Sequence, residues 1–133
     1  MIRRLLSAGV VAGLLSAVAP LFAHHSFDAE FDKKKPVKVE GTVKKVEWMN
    51  PHIWFYVDVK DASGKVTTWG FSSRPPGVLT RMGFSKNTLK LGDPLKVEDF
   101  GAKDGSNNAD ASSITFADGR KVFVGGADGA PPQ

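Results

Sequence analysis

The sequence predicts an all-β domain with one short helix, built as a small OB-fold-like barrel; an antiparallel β-sandwich is the alternative. Three observations carry this. Short runs of alternating apolar residues recur between turn signals, the clearest being Ile53, Phe55, Val57 and Val59. One helix signal lies between the third and fourth runs: Pro75-Pro76, then Val78, Leu79 and Met82, closed by Gly83. The first run is long and changes register partway, as a strand does when it bends to serve two sides of a barrel.

The chain opens on Met1-Ile2-Arg3-Arg4, a short basic stretch followed by apolar and small residues over 5–21. Leu21-Phe22-Ala23 then offers a small residue at a cleavage position. This layout predicts a secretory signal peptide over 1–23. Ala17-Val18-Ala19 is a tighter cleavage box, but it would place Pro20 just after the cut. The apolar run, about 17–19 residues, sits at the low end for crossing a bilayer, so no stable membrane insertion is expected after cleavage.

Removing 23 of the 133 residues leaves 110, with His24 first. Arg3 and Arg4 leave too, so 18 basic side chains become 16 against 14 acidic ones. The remaining lysines interleave with acids, as in Lys96-Val97-Glu98, which describes a solvated surface rather than a phosphate-binding stripe. Nucleic acid is not expected as a partner. With no cysteine, disulfides, thiolate zinc sites and a cysteine nucleophile are excluded. A periplasmic or secreted location follows from the signal peptide.

Residues 24–36 read as a polar N-terminal arm. The domain proper is expected over 37–124. Val37, Val39, Gly41 and Val43 share one face of the first strand, whereas Val46 and Trp48 lie on the other parity, which implies a bulge or bend. Met49-Asn50-Pro51 is a turn. Residues 53–60 form the second strand, with Trp54 and Tyr56 facing away from its apolar side. Asp61-Ala62-Ser63-Gly64 makes a hairpin loop to the third strand, 66–72. After the helix come a strand at 95–100, a polar loop over 101–111, a strand at 113–116 and a short one at 121–124. The tail, 125–133, buries almost nothing and is expected to be disordered.

No hydrolase triad, phosphate loop or paired-carboxylate motif is present. Asp104-Gly105-Ser106-Asn107-Asn108 lacks the alternating ligands of a calcium loop and reads as a polar turn. The three histidines are more informative. A terminal His24 would offer its α-amine and Nδ1 to one metal, and His52, with His25, would add imidazoles. That nitrogen-rich set suits copper, and the nearby Met49 thioether suits its reduced form. The plainer reading makes His24 and His25 ordinary arm residues and has His52 fix the Asn50-Pro51 turn.

Aromatics form a second constellation. Trp48, Trp54, Tyr56 and Trp69, with Asn50 and Arg74, are candidates for a ligand or partner face. The plainer reading packs Phe27 and Phe31 over that face.

His24-His25-Ser26-Phe27, Glu40-Gly41-Thr42-Val43, Trp48-Met49-Asn50-Pro51-His52, the stretch from Trp69 to Pro76 and Asp104-Gly105-Ser106 together resemble the DUF6152 family of small exported bacterial proteins of unknown function. The resemblance implies an envelope location and a small β-rich domain. Its recurring motifs match His24, His25, Asn50, Pro51 and His52, and it brings no catalytic residues.

The sequence therefore leads to a periplasmic, non-enzymatic binding protein, with copper held through an N-terminal histidine. The alternative is an interaction module that takes an envelope protein or small ligand on its aromatic face. Oxidative copper chemistry ranks third, because one open metal site is not a mechanism.

Overall fold

The computed structural model describes residues 27–125. The expected signal peptide, His24 and His25, and the tail from 126 onward lie outside the described residues. Seven strands and two short helices follow one another: α1 (Phe27–Glu30), β1 (Phe31–Glu47), β2 (Trp54–Lys60), β3 (Val66–Ser72), α2 (Pro76–Arg81), β4 (Pro94–Ala102), β5 (Asn108–Asp110), β6 (Ser113–Phe116) and β7 (Lys121–Phe123). They form one sheet in the order β1-β2-β3-β5-β4-β6-β7, and β1 also pairs with β4. The first five strands thus close into a barrel, with β6 and β7 extending beyond it. β5 runs parallel to β3, and the other pairs are antiparallel. This is the OB-like barrel with its helix between β3 and β4.

Closure depends on β1, a strand of 17 residues. Pro36 through Thr42 pair with β4, and Thr42 through Glu47 pair with β2. The pairing register with β2 shifts between Val43 and Lys45. That bulge moves the inward parity from Val39 and Val43 to Val46, which explains the parity change in the sequence. Gly41 is needed at the bend. A Cβ there would lie 2.2 Å from the Asp58 carbonyl oxygen, so any side chain would force β1 and β2 apart.

The core is the inward face of these strands. Phe55 and Phe71 stack at 5.3 Å between ring centres and are fully buried with Val57, Leu95, Val97 and Ile114. α2 closes one end. Pro76 starts it, Leu79 is its buried residue, and Gly83 takes a φ of +83° just past its end. Phe84 and Leu89 join Leu79 in covering that end. No helix among the described residues is long and apolar enough to cross a membrane.

Two segments differ from expectation. Residues 31–36, read as part of an arm, belong to β1. Three consecutive lysines and a proline hide this strand, because it pairs only at Phe31 with Ala102 and from Pro36 with Phe100, and the lysines stay exposed. The loop over 101–111 contains β5. Asn108-Ala109-Asp110 carries little apolar signal, yet β3 and β4 bury Ala109 completely.

Candidate functional site

The turn before β2 is held by backbone contacts. Asn50–Pro51 is a cis peptide bond. His52 Nδ1 lies 3.0 Å from the Ser73 carbonyl oxygen and is half-buried. A carbonyl only accepts, so Nδ1 carries a proton, and in a neutral ring Nε2 would be the nitrogen with the lone pair. Beside it the Ile53 amide donates to the Arg74 carbonyl at 3.3 Å, and the Ser73 amide to the Ile53 carbonyl at 2.9 Å. The same segment grips the residues that follow β7. Ser73 Oγ donates to the Val124 carbonyl at 2.7 Å and Arg74 Nε to the Gly125 carbonyl at 2.6 Å. Met49 and Asn50 are exposed on the turn. No cluster of three or more His, Cys, Asp or Glu side chains occurs among the described residues.

The outward face of β2 is held by side chains instead. Alternation that buries Phe55 and Val57 turns Trp54 and Tyr56 to the other side, where both are half-buried. Their rings stack at 6.5 Å with 24° between planes. Tyr56 donates its hydroxyl to Glu47 Oε2 at 3.2 Å, and Lys45 bonds Glu47 and sits 5.6 Å above the Tyr56 ring. The Lys45 hydrogen bond holds the Glu47 carboxyl below its usual range, whereas burial, then the Glu47 charge, pushes the Tyr56 hydroxyl up.

Gly70 faces Tyr56 across the β2–β3 pair. A Cβ at Gly70 would lie 2.5 Å from Asn108 Oδ1 and 3.2 Å from the Tyr56 ring, so the absent side chain leaves the space that both occupy. Asn108 Nδ2 donates to Ser106 Oγ at 3.1 Å, and the Ser106 amide donates to Asp104 Oδ1 at 2.8 Å. The Ser106 hydroxyl and amide hold the Asp104 carboxyl below its ordinary value. Trp54, Asn108, Ser106 and Asp104 border a groove of about 450 Å³, together with Ala29, Glu30, Phe31, Ala102 and Lys103. Phe31 lines this groove and is buried against Ala102 and Phe100.

The candidate residues therefore divide. Trp54 and Tyr56 stand together on the outward face. Trp69 does not join them: it pairs with Val57 across the strands, stacks on Phe71 at 6.4 Å and packs against the core. Trp48 packs there too, next to Ile53 and Leu79. Arg74 reaches Gly125 and Met82 Sδ rather than the groove. Asn50 and Met49 lie on the turn with His52, and His24 and His25 are outside the described residues.

Sequence reading missed the loop residues of the groove. Asp104, Ser106 and Asn108 read as a polar turn, and the turn is real; only barrel closure brings it beside Trp54.

It also missed a buried acid pair. Asp99 is 8% exposed and Asp110 2%. Burial pushes the Asp99 carboxyl up, against hydrogen bonds with the side chains of Asp110 and Ser112 and with the backbone of Ser112 and Phe100. Its Oδ2 is buried with no hydrogen-bond partner.

No curated protein and no solved structure matches the chain. A family model does match, over residues 11–111, which takes in most of the sequence and everything from α1 through β5. The chain belongs to DUF6152, a family of unknown function.

Proposed function

We propose that the protein is an exported, non-enzymatic binding module of the bacterial envelope, and that it takes a small ligand or envelope partner in the groove beside Trp54. One observation carries this: a half-buried indole, preset by stacking on Tyr56, borders a groove lined by both apolar and polar side chains. A rigid aromatic beside a few placed polar groups is the usual composition of a small-ligand site. Its about 450 Å³ falls within the roughly 300–1,000 Å³ of such sites. Export rests on the signal-peptide pattern of residues 1–23.

The test is a thermal-shift screen of small metabolites against the wild type and Trp54→Ala. Compounds that stabilise the first and not the second support the groove. Compounds that stabilise both equally contradict it.

A second reading is copper binding by the His24 amine and Nδ1 with His52, and with His25 and Met49 nearby. The His52 tautomer supports it, because the bond from Nδ1 to a carbonyl leaves Nε2 as a ligand atom, as in many metal sites. Chain reach supports it as well. Ala29 shares the groove with Trp54, two residues beyond His52. The five residues from His24 to Ala29 can span up to about 18 Å. Mass spectrometry of the exported chain should show His24 first, and Cu(II) titration followed by EPR should give a nitrogen-rich signal that an added alanine before His24 disrupts. An unchanged signal in that variant, or no binding by the wild type, contradicts it.

A further inference from the structure

We infer that the ligand of the Trp54 groove is an uncharged saccharide, with one sugar ring stacked on Trp54 and its hydroxyls met by Asn108, Ser106 and Asp104. This rests on the reading of the groove as a binding site and adds the ligand class.

The groove lining mixes two chemistries: Trp54, Phe31, Ala29 and Ala102 are apolar, whereas Glu30, Lys103, Asp104, Ser106 and Asn108 are polar. A matching ligand has an apolar face and a hydrogen-bonding edge. A pyranose has both, because its ring C–H groups cluster on one face while its hydroxyls project around the edge. An aliphatic chain would leave the polar groups without partners, which costs binding energy.

Charge separates a saccharide from the other common stacking ligand, a nucleotide. The lining carries Glu30 and Asp104 against Lys103, and the Lys35 ammonium stands beside Lys103 and Asp104, 3.5 Å from the Lys103 carbonyl oxygen. The Asp104 carboxyl is held low by Ser106, so it stays ionised through the neutral range. A phosphate would meet two carboxylates and two ammonium groups, with no net positive charge to hold it, whereas single-strand binding grooves are positively charged along the backbone. An uncharged polyol needs no net charge, and a carboxylate accepts well from hydroxyls.

The polar edge is preset. Asn108 Nδ2 uses one hydrogen on Ser106 Oγ, and a carboxamide has a second hydrogen and an acceptor oxygen. Its place over β3 depends on Gly70, where a Cβ would fall 2.5 Å from its Oδ1. Gly70 is thus a positioning residue, and it touches no ligand in this account.

The experiment is two-dimensional NMR of the full exported chain, ¹⁵N-labelled, titrated with chitotriose, cellotriose and maltotriose, and separately with oligothymidylate. The protein has three tryptophans, so each indole signal can be assigned by substitution. At least one trisaccharide should move the Trp54 indole and Asn108 amide signals and leave those of Trp48 and Trp69 in place. Trp54→Ala should abolish binding. Gly70→Ala, which keeps the indole, should weaken it about ten-fold, the loss expected for one good hydrogen bond. Should Gly70→Ala fail to fold, Asn108→Ala gives the same comparison. No movement with any trisaccharide up to tens of millimolar overturns the saccharide assignment. Movement of Trp54 with oligothymidylate alone overturns it while sparing the groove. Saccharide binding undiminished in Trp54→Ala overturns both.

Discussion

Only Ile53 separates His52 from Trp54, yet the two sites are made in different ways. His52 is fixed by the backbone: a carbonyl orients its ring, and two amide–carbonyl bonds at the adjoining Ile53 lock the turn against the segment after β3. Trp54 is fixed by a neighbouring ring and stays half-accessible. The first arrangement presents a single lone pair at a set position, which suits a metal or nothing at all. The second presents a surface, which suits a molecule. A conspicuous residue in a sequence can thus be consumed by the fold, while its near neighbour stays half-buried on an outward face.

Four measurements sharpen that contrast. Phe55 lies in β2, next to Trp54 and just after the His52 turn, and is 1% exposed. Phe55→Ala should cost about 3–5 kcal/mol, visible in denaturant unfolding, and damage both sites together. If either survived intact, that site would not depend on the barrel.

The pH profile of stability comes next. Burial raises the Asp99 carboxyl above its ordinary value of 3.8. In acid both folded and unfolded chains hold this proton, so nothing is lost. As pH rises through 3.8 the unfolded chain releases it first, and stability falls until the folded carboxyl ionises too. Glu98 works in the opposite sense. Lys121 and Lys38 hold it at about 2 against an ordinary 4.5, so its contribution is present above 4.5 and is lost as pH falls toward 2. Melting temperature should therefore rise from pH 2 and decline above the ordinary carboxylate range. Asp99→Asn should flatten the decline, and an unchanged profile would show that Asp99 is not the cause.

His52→Ala removes the Nδ1 hydrogen bond and should cost about 1 kcal/mol by denaturant titration. A loss near zero would leave the turn to its backbone bonds alone. Trp54→Ala should have the smallest effect on stability, within about 0.5 kcal/mol if the ring is a contact surface rather than a support. A cost of several kcal/mol would make Trp54 a structural residue and weaken the contrast.

Much of the fold was legible because half-buried antiparallel strands alternate. β2 and β3 show it in Phe55, Val57, Trp69 and Phe71, and the parity break in β1 marked its bulge. Proline and glycine bracketed α2. β5 was not legible, because three polar or small residues become a strand only through partners distant in sequence. Trp54 and Tyr56 could be placed outward from their own strand. Trp69 could not be separated from them until its pairing with Val57 set its side. Asn108 and Phe31 reach the groove only through closure of the barrel, which no local pattern encodes. The acid pair left a trace that is clear in hindsight: Asp99 continues the inward parity of Leu95 and Val97.

The central claim is that the outward face at Trp54, and not the turn at His52, does the binding. Calorimetric titration of the wild type, His52→Ala and Trp54→Ala with a ligand found by the thermal-shift screen tests this most directly. The account predicts equal affinity for the wild type and His52→Ala, and none for Trp54→Ala. Loss of binding in His52→Ala, with affinity retained in Trp54→Ala, would contradict it.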